Sequence, residues 1–179
     1  MTVTAIDGVT AAAHLPTWLI PAATITVEPT VGTWSIPLTA ITGATTKKID
    51  CHMDMGDLSI SVSPKTRERQ RMCQSVSETI NVGETIEITI TAVYDQQVIG
   101  TDAVNAAYTF LVEGAVVYLF RAYGWDSGTT PTVATKGDLY KATVLSRLKS
   151  EPTSADEDLK FIATLSGSAR WNDIDLAAA

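Results

Sequence analysis

The residue types that could do chemistry in this chain gather in two short stretches. The first is Asp126-Ser127-Gly128, the tripeptide that carries the catalytic aspartate of aspartic proteases. Those enzymes need two such aspartates that share a proton, and each aspartate follows an apolar strand. Gly124 and Trp125 precede this copy, and the sequence holds no second one. Asp-Ser-Gly is also ordinary turn chemistry, so we interpret the tripeptide as a turn.

The second stretch is "DCHMDMGD" at 50–57, whose possible metal ligands are Asp50, Cys51, His52, Asp54 and Asp57. Their spacing matches neither a zinc finger nor an EF-hand, which needs acidic ligands at fixed alternating positions. No nucleophile motif and no phosphate-binding glycine loop accompanies the histidines. We therefore predict a polar loop, no metal, no cofactor and no enzymatic activity. The alternative is a small hydrolase built on Asp126 or on this loop.

Composition restricts the classes of function that remain. The chain has 179 residues, 45% of them hydrophobic and 18% charged, with a formal net charge of −7. This length suits one domain with a sizeable core, and the acidic balance argues against a module that wraps DNA through its phosphates.

The stretch 8–27 has no charged residue, but Pro16 and Pro21 interrupt it, so we predict a packed arm rather than a membrane span. Cys51 and Cys73 form no CxxC pair and are predicted to be buried free thiols.

Most of the sequence has the pattern of short antiparallel strands. In "GETIEITITAVYDQQ" (83–97), Ile86, Ile88 and Ile90 alternate with polar residues, which predicts a strand with one apolar and one wet face. Further strands are predicted at 32–42, 57–63, 115–124, 138–150 and 159–167. Leu148 and Leu159 fall on the apolar sides of the last two. Gly, Pro, Asp and Asn between these runs favour an antiparallel β-sandwich or barrel.

One segment has helical periodicity instead. In 101–114, Val104, Tyr108 and Leu111 fall on one helical face, between candidate caps at Asp102 and Gly114. We predict a single flanking α-helix there. The division of the chain is then an N-terminal arm (1–30) and a β-domain (31–179), with a long loop at 42–56 and closing C-terminal strands.

A basic run, "KTRERQR", follows the strand predicted at 57–63. Its cations are all at odd positions, so a strand would place them on one side: Lys65, Arg67, Arg69 and Arg71. Such a ladder is either a solvated face or a docking strip for an acidic surface of another copy of this acidic protein.

This layout resembles the phage major tail protein family, the tail tube subunits of phages with long non-contractile tails. The similar segments are "GTWSIPLTAIT", "INVGETIEITITAVYD", "DAVNAAYTFLVEG" with "AVVYLFRAYG", and the closing "DLKFIATLSGSARWNDIDLA", so the resemblance covers about residues 30–176. It implies two packed β-sheets with a flanking helix. It also implies hexameric rings that stack, through a long loop and terminal arms, into a tube.

The same resemblance implies partners and a place in the cell. The partners are other copies of the chain, a tape-measure protein, tail-end proteins, and DNA that crosses the lumen without specific binding. The protein is expected in the virion tail, and in the host cytoplasm during assembly. The polar face of 83–97 would then line the lumen through Glu87, Thr89 and Thr91. Contacts between copies would involve the loop and the ladder: Lys47, Lys48, Lys65, Arg67, Arg69 and Arg71.

Two other functions fit the same residues. One is a monomeric β-sandwich for binding or adhesion, with Trp125 and Trp171 as a candidate aromatic site. The other is a different virion component, such as a head decoration or tail-completion protein.

Overall fold

The protein folds around one large, mostly antiparallel β-sheet. The computed structural model describes residues 13–30, 34–73, 75–98, 103–154 and 156–178. The strands are β1 (Thr17–Pro21), β2 (Ser35–Pro37), β3 (Lys47–Lys48), β4 (Leu58–Arg69), β5 (Glu78–Val93), β6 (Val116–Arg121), β7 (Lys136–Lys149) and β8 (Lys160–Ala177). Their order is β3-β1-β6-β7-β8-β5-β4, and β2 pairs in parallel with β8. The predicted mainly antiparallel β fold is confirmed, although its strands belong to one hydrogen-bonded sheet rather than to two.

The first face of the sheet is apolar along most of its width. Ile86, Ile88 and Ile90 of β5 are buried on this face, opposite Gly167, Leu165 and Ala163 of β8. The same cluster extends across β7 and β6 to Leu19 of β1. Side chains of a strand alternate between faces, so the isoleucines at even positions all point into this core. The strand predicted at 83–97 and its apolar side are confirmed over 83–93, while β5 begins earlier, at Glu78, and 94–97 lie beyond its end.

The second face is divided into two halves. Over β1, β6 and β7, the side chains of Trp18, Phe120 and Leu139 are covered by a short helix, α1 (Leu38–Thr42), through Ala40 and Ile41. Over β4, β5 and β8, the alternate residues of the strands are instead exposed or half-buried. The covered half is a second core, and the uncovered half is a polar surface.

The segment predicted as one strand at 32–42 is shorter and mixed. Only Ser35–Pro37 is a strand, and Leu38–Thr42 is helix α1. Pro37 stands directly before this helix, where its fixed φ and missing N–H are tolerated. Ala40 and Ile41 are adjacent and both buried by this helix, whereas a strand would point them to opposite faces.

The helix predicted at 101–114 is also shorter. A 3₁₀ turn (Ala103–Asn105) leads into α2 (Ala106–Phe110), whereas Asp102 lies outside the described residues. The buried Asn105 amide accepts a hydrogen bond from the Asp95 N–H and donates one to the Asp95 carbonyl, which ties this turn to the end of β5. Gly114 is not the helix cap; its N–H donates to the carbonyl of Val144. Leu111 is fully buried against the first face, as predicted.

Several other expectations differ from the structure. The predicted N-terminal arm includes β1, which pairs with both β3 and β6 and so belongs to the sheet. The predicted loop 42–56 contains β3 and a 3₁₀ turn (Asp50–His52). Cys51 and Cys73 are free thiols but exposed, because neither side chain reaches a core cluster.

The apolar sides predicted for the last two strands are wrong at one residue each. Leu148 is exposed because β7 is bulged between Val144 and Ser146, and the bulge changes the side on which later residues point. Leu159 precedes β8 and is exposed. No helix within the described ranges is long and apolar enough to span a membrane.

Candidate functional site

The Asp126-Ser127-Gly128 tripeptide forms a turn. The Asp126 carboxylate accepts a hydrogen bond of 2.7 Å from the Gly128 N–H, which is the geometry of an Asx turn. Ser127 donates to the Asp50 carboxylate, and Lys48 Nζ lies 3.2 Å from the same carboxylate. Lys48 also donates to the Ser127 hydroxyl and carbonyl oxygens. The side chains of Lys48, Asp50 and Ser127 thus serve as one another's hydrogen-bonding and charge partners. They connect the β6–β7 loop to the segment that follows β3.

The acidic residues of 50–57 are also engaged in structural contacts. Asp54 and Asp57 both accept hydrogen bonds from Lys160 Nζ, at 2.5 and 3.0 Å. These two hydrogen bonds raise the pKa of Lys160 above its ordinary value, so the ammonium stays charged. His52 Nε2 lies 2.7 Å from the Ala103 carbonyl and connects this segment to the 3₁₀ turn that precedes α2. Within the described part of the chain, no three His, Cys, Asp or Glu side chains are grouped to hold a metal ion.

The uncovered half of the second face carries the residues predicted to line a lumen. Glu87 is exposed and lies directly between Ser61 of β4 and Ser166 of β8. Thr89 is half-buried between Ser59 and Thr164 in the next row.

Hydroxyl side chains occupy neighbouring positions on this half-face. Thr91 lies opposite Ile162, and Thr143 of β7 lies opposite Ser166. We call this surface the hydroxyl face; its members are Ser59, Ser61, Ser63, Thr85, Glu87, Thr89, Thr91, Thr143, Thr164 and Ser166. Only Glu87 among them is charged, so these positions offer many hydrogen-bonding groups, and the nearest cations on the same side of β4 and β8 are Lys65 and Lys160 at the two ends.

An ion pair marks the border between the covered half and the hydroxyl face. Glu28 accepts hydrogen bonds from Lys141 Nζ at 2.5 Å and from the Tyr118 hydroxyl at 2.8 Å. The Lys141 hydrogen bond is the larger cause, and together these contacts lower the pKa of Glu28. Burial raises the pKa of Tyr118, and the hydrogen bond that its hydroxyl donates to Glu28 raises this pKa further. The chain segment after β1 is thereby held against the second face.

The basic ladder lies on a hairpin that extends beyond the rest of the sheet. Strand β4 continues through Arg69 and pairs with β5 back to Glu78, whereas β8 accompanies β5 only as far as Ile86. We call 64–73 together with 75–84 the projecting hairpin. Lys65, Arg67 and Arg69 are exposed on β4, on the same side of the strand as the serines of the hydroxyl face.

Arg71, the last predicted member of the ladder, follows the end of β4 and is also exposed. Arg170 of β8 holds Glu84 at the base of the hairpin through two hydrogen bonds of 2.8 and 2.9 Å. None of the ion pairs among the described residues includes Lys65, Arg67 or Arg69.

Lys47 and Lys48 lie at the opposite edge of the sheet. They form β3, which pairs only with β1 in the described structure. Lys47 is exposed, but Lys48 is half-buried and bonded to Asp50 and Ser127 within the same chain. The structure therefore separates the six predicted contact cations into two groups, one at each edge strand.

The length of the projecting hairpin was not predicted from the sequence. The spacing of the cations predicted strand conformation, but the pairing of 65–69 with 78–83 was not predicted. Val82 is the extra residue between the partners of Lys65 and Thr66, and this bulge obscures the alternation on β5. Pro64 is tolerated because β4 is an edge strand, where a missing donor costs no ladder bond.

Comparisons with known proteins agree with this architecture. The solved structures similar to the chain include the SPP1 tail tube, determined by solid-state NMR and cryo-EM, with a TM-score of 0.54 and 9% sequence identity. That match covers 95% of this chain and 81% of the SPP1 chain. No curated protein sequence matches. The family model described as "Phage tail tube protein" matches residues 6–179. The chain therefore belongs to the phage tail tube protein family and is a structural protein of the virion tail that self-assembles into a tube.

Proposed function

We propose that six copies of this protein close into a ring, that the rings stack, and that the hydroxyl face lines the channel through which DNA leaves the phage. Before ejection the same channel would hold the tape-measure protein, and tail-end proteins would close it. The protein would assemble in the host cytoplasm and would have no catalytic activity.

The composition of the hydroxyl face is the observation that supports this proposal. Proteins that hold nucleic acid place Lys and Arg against phosphates, and each such contact adds to affinity. The ten positions of the hydroxyl face include no cation, although Lys65 and Lys160 follow on the same side at its two ends. Its one charged residue, Glu87, has the same sign as DNA. Hydroxyl groups keep water at the surface, and a carboxylate repels phosphates, so DNA can slide without binding.

The two edge strands support assembly through sheet edges. The sheet ends in β3 on one side and β4 on the other, and each leaves one row of backbone groups unpaired within the described structure. Exposed edges of this kind pair with other chains unless they are covered. A ring would cover them with neighbouring copies, close to Lys47 on one edge and to the ladder on the other.

Cysteine labelling of assembled tubes tests which face lines the lumen. Cys51 and Cys73 are exposed, so Cys51→Ser/Cys73→Ser provides a background without reactive thiols. Thr89→Cys in that background is then treated with a small maleimide and with a maleimide carried by a bulky polymer. A lumen residue should react with the small reagent in tubes and with both reagents in dissociated subunits. Reaction of tubes with the bulky reagent would place Thr89 outside, and protection from both would place it between copies; either result overturns the assignment.

Ring number is tested by end-on views in electron microscopy. Averages of short tubes should show sixfold symmetry, and any other symmetry contradicts the hexamer.

A further inference from the structure

The two ends of β5 differ in charge, and this difference bears on how rings stack. One end belongs to the projecting hairpin, where 64–73 contains Lys65, Arg67, Arg69 and Arg71 with Glu68 as the single carboxylate. Glu78 lies opposite Arg69 on β5. The hairpin also exposes apolar side chains, namely Met72, Val76 and Val82. It therefore combines positive charge with apolar area that this chain leaves uncovered.

The other end of β5 lies beside the turn between β7 and β8. Tyr94 N–H donates to the Leu159 carbonyl, and Val93 pairs with Lys160, so this turn adjoins the last residues of β5. We call 150–154 together with 156–158 the acidic turn, because it contains Glu151, Asp156, Glu157 and Asp158 and no cation. Of the nearby cations, Lys160 is bonded to Asp54 and Asp57, whereas Lys149 donates to the neutral amide of Gln96 and keeps its charge. The four carboxylates of the turn outnumber this cation.

Apolar side chains are exposed next to the acidic turn as well. Leu148 and Ile162 are direct partners across β7 and β8, and Leu159 follows the turn. Surface patches that combine several exposed aliphatic residues commonly mark contacts between proteins. The acidic turn thus has the opposite charge to the projecting hairpin, and both surfaces expose apolar side chains that a contact between them would bury.

Distance prevents the hairpin and the turn of one copy from meeting. Strand β5 has 16 residues, and at about 3.3 Å per residue its ends are about 50 Å apart. Interactions between exposed charges are largely screened beyond about 8 Å at physiological salt. A head-to-tail contact between two copies brings the two surfaces together, and repetition of such a contact produces an open stack rather than a closed pair.

On the basis of the proposed function, we infer that the projecting hairpin of a subunit in one ring docks on the acidic turn of a subunit in the next ring. Carboxylates of the turn neutralise Lys65, Arg67 and Arg69, while Met72, Val76 and Val82 cover the patch of Leu148, Leu159 and Ile162. Neutralisation also matters for the channel, because unpaired cations beside the hydroxyl face would bind DNA phosphates.

A charge exchange between the two surfaces tests this contact in the full-length protein. Arg67→Glu/Arg69→Glu and Asp156→Lys/Asp158→Lys are each compared with the wild type and with the combination of all four changes. Glu157 is kept, since its carboxylate accepts hydrogen bonds from the Thr153 N–H and hydroxyl. The combined variant retains the wild-type net charge of −7.

Each exchange alone should raise the protein concentration needed for tube assembly at least about tenfold, because like charges then face each other. The combined variant should return to within about twofold of the wild type. Assembly is measured by sedimentation and electron microscopy over a salt series, with circular dichroism as the folding control. Lys136→Glu is the control for the single change Arg67→Glu, because it reverses an exposed cation outside both surfaces and changes net charge equally. It also breaks the ion pair of Lys136 with Asp175, so its stability is measured alongside its assembly.

The outcomes separate this inference from the proposed function. Variants that form single rings but no tubes would support an axial contact. Normal tubes from either exchange, or no recovery in the combined variant, would overturn the inference while leaving rings and lumen intact. Loss of the rings themselves in Arg67→Glu/Arg69→Glu would place the ladder within the ring and also overturn it. If the wild type forms neither rings nor tubes, the proposed function fails.

Discussion

Replacing Ile88 with alanine should destabilise the subunit strongly, and replacing its neighbour Thr89 should not. Ile88 is fully buried at the centre of β5, where Ile60 and Leu165 are its direct partners. Isoleucine has three more carbon atoms than alanine, and at about 0.8 kcal/mol for each buried methylene their transfer contributes about 2.4 kcal/mol. The cavity left behind adds to this, so the expected loss is about 2–5 kcal/mol.

Thr89→Ala is the matched control on the same strand. Its side chain is half-buried on the hydroxyl face between Ser59 and Thr164, where no close-packed core loses contacts. Its loss should stay below about 1 kcal/mol, mainly from the lower strand preference of alanine. Both free energies of unfolding are measured by urea denaturation of unassembled subunits. A loss below about 1 kcal/mol for Ile88→Ala, or equal losses for both variants, would refute the alternation of faces on β5.

Two further predictions concern a close approach and an ion pair. Gly167→Ala should cost about 1–3 kcal/mol of unfolding free energy. The reason is that a Cβ at this position would lie 2.5 Å from Cβ of Ile86, and the two strands cannot separate freely. An unchanged free energy of unfolding in urea denaturation would contradict this. Glu28→Gln should cost less than about 1 kcal/mol near neutral pH, since the side chains of the pair are partly exposed. Hydrogen bonds from Lys141 and Tyr118 lower the pKa of Glu28 from 4.5, so its stabilisation is present above that pH and is lost as pH falls through the lowered value. The stabilities of variant and wild type should therefore converge in acid, and a constant difference from pH 7 to pH 3 would refute the role of this carboxylate.

Much of the fold could be predicted because strand periodicity depends on local sequence. Ile86, Ile88 and Ile90 alternate with polar residues, and that pattern is compatible with one buried face only in a strand. In 115–124 both registers are apolar, which matches a strand covered on both faces, as Val117, Tyr118, Leu119 and Phe120 are. Separation of Thr89 from the core was predicted on the same basis.

The candidate surfaces were predicted less completely because they depend on contacts between distant segments. Lys48 was an expected contact between copies, but Asp50 and Ser127 engage it within the chain. The Ser127 partner is 79 positions away, and no local pattern indicates it. The ladder was visible as a run of cations, whereas its place on a projecting hairpin follows from pairing with 78–83.

The sequence by itself determined the composition of each strand face, the absence of a recognisable catalytic motif and the resemblance to tail tube subunits. These properties follow from residue type and short-range spacing, because alternation along a strand is local. Only the tertiary structure decided which strands are neighbours, and therefore that serines and threonines of β4, β5 and β8 form one hydroxyl face. It also decided that the basic hairpin and the acidic turn lie at opposite ends of β5. Both results depend on strand order and register, which are set by packing between segments far apart in the chain rather than by the pattern within any one of them.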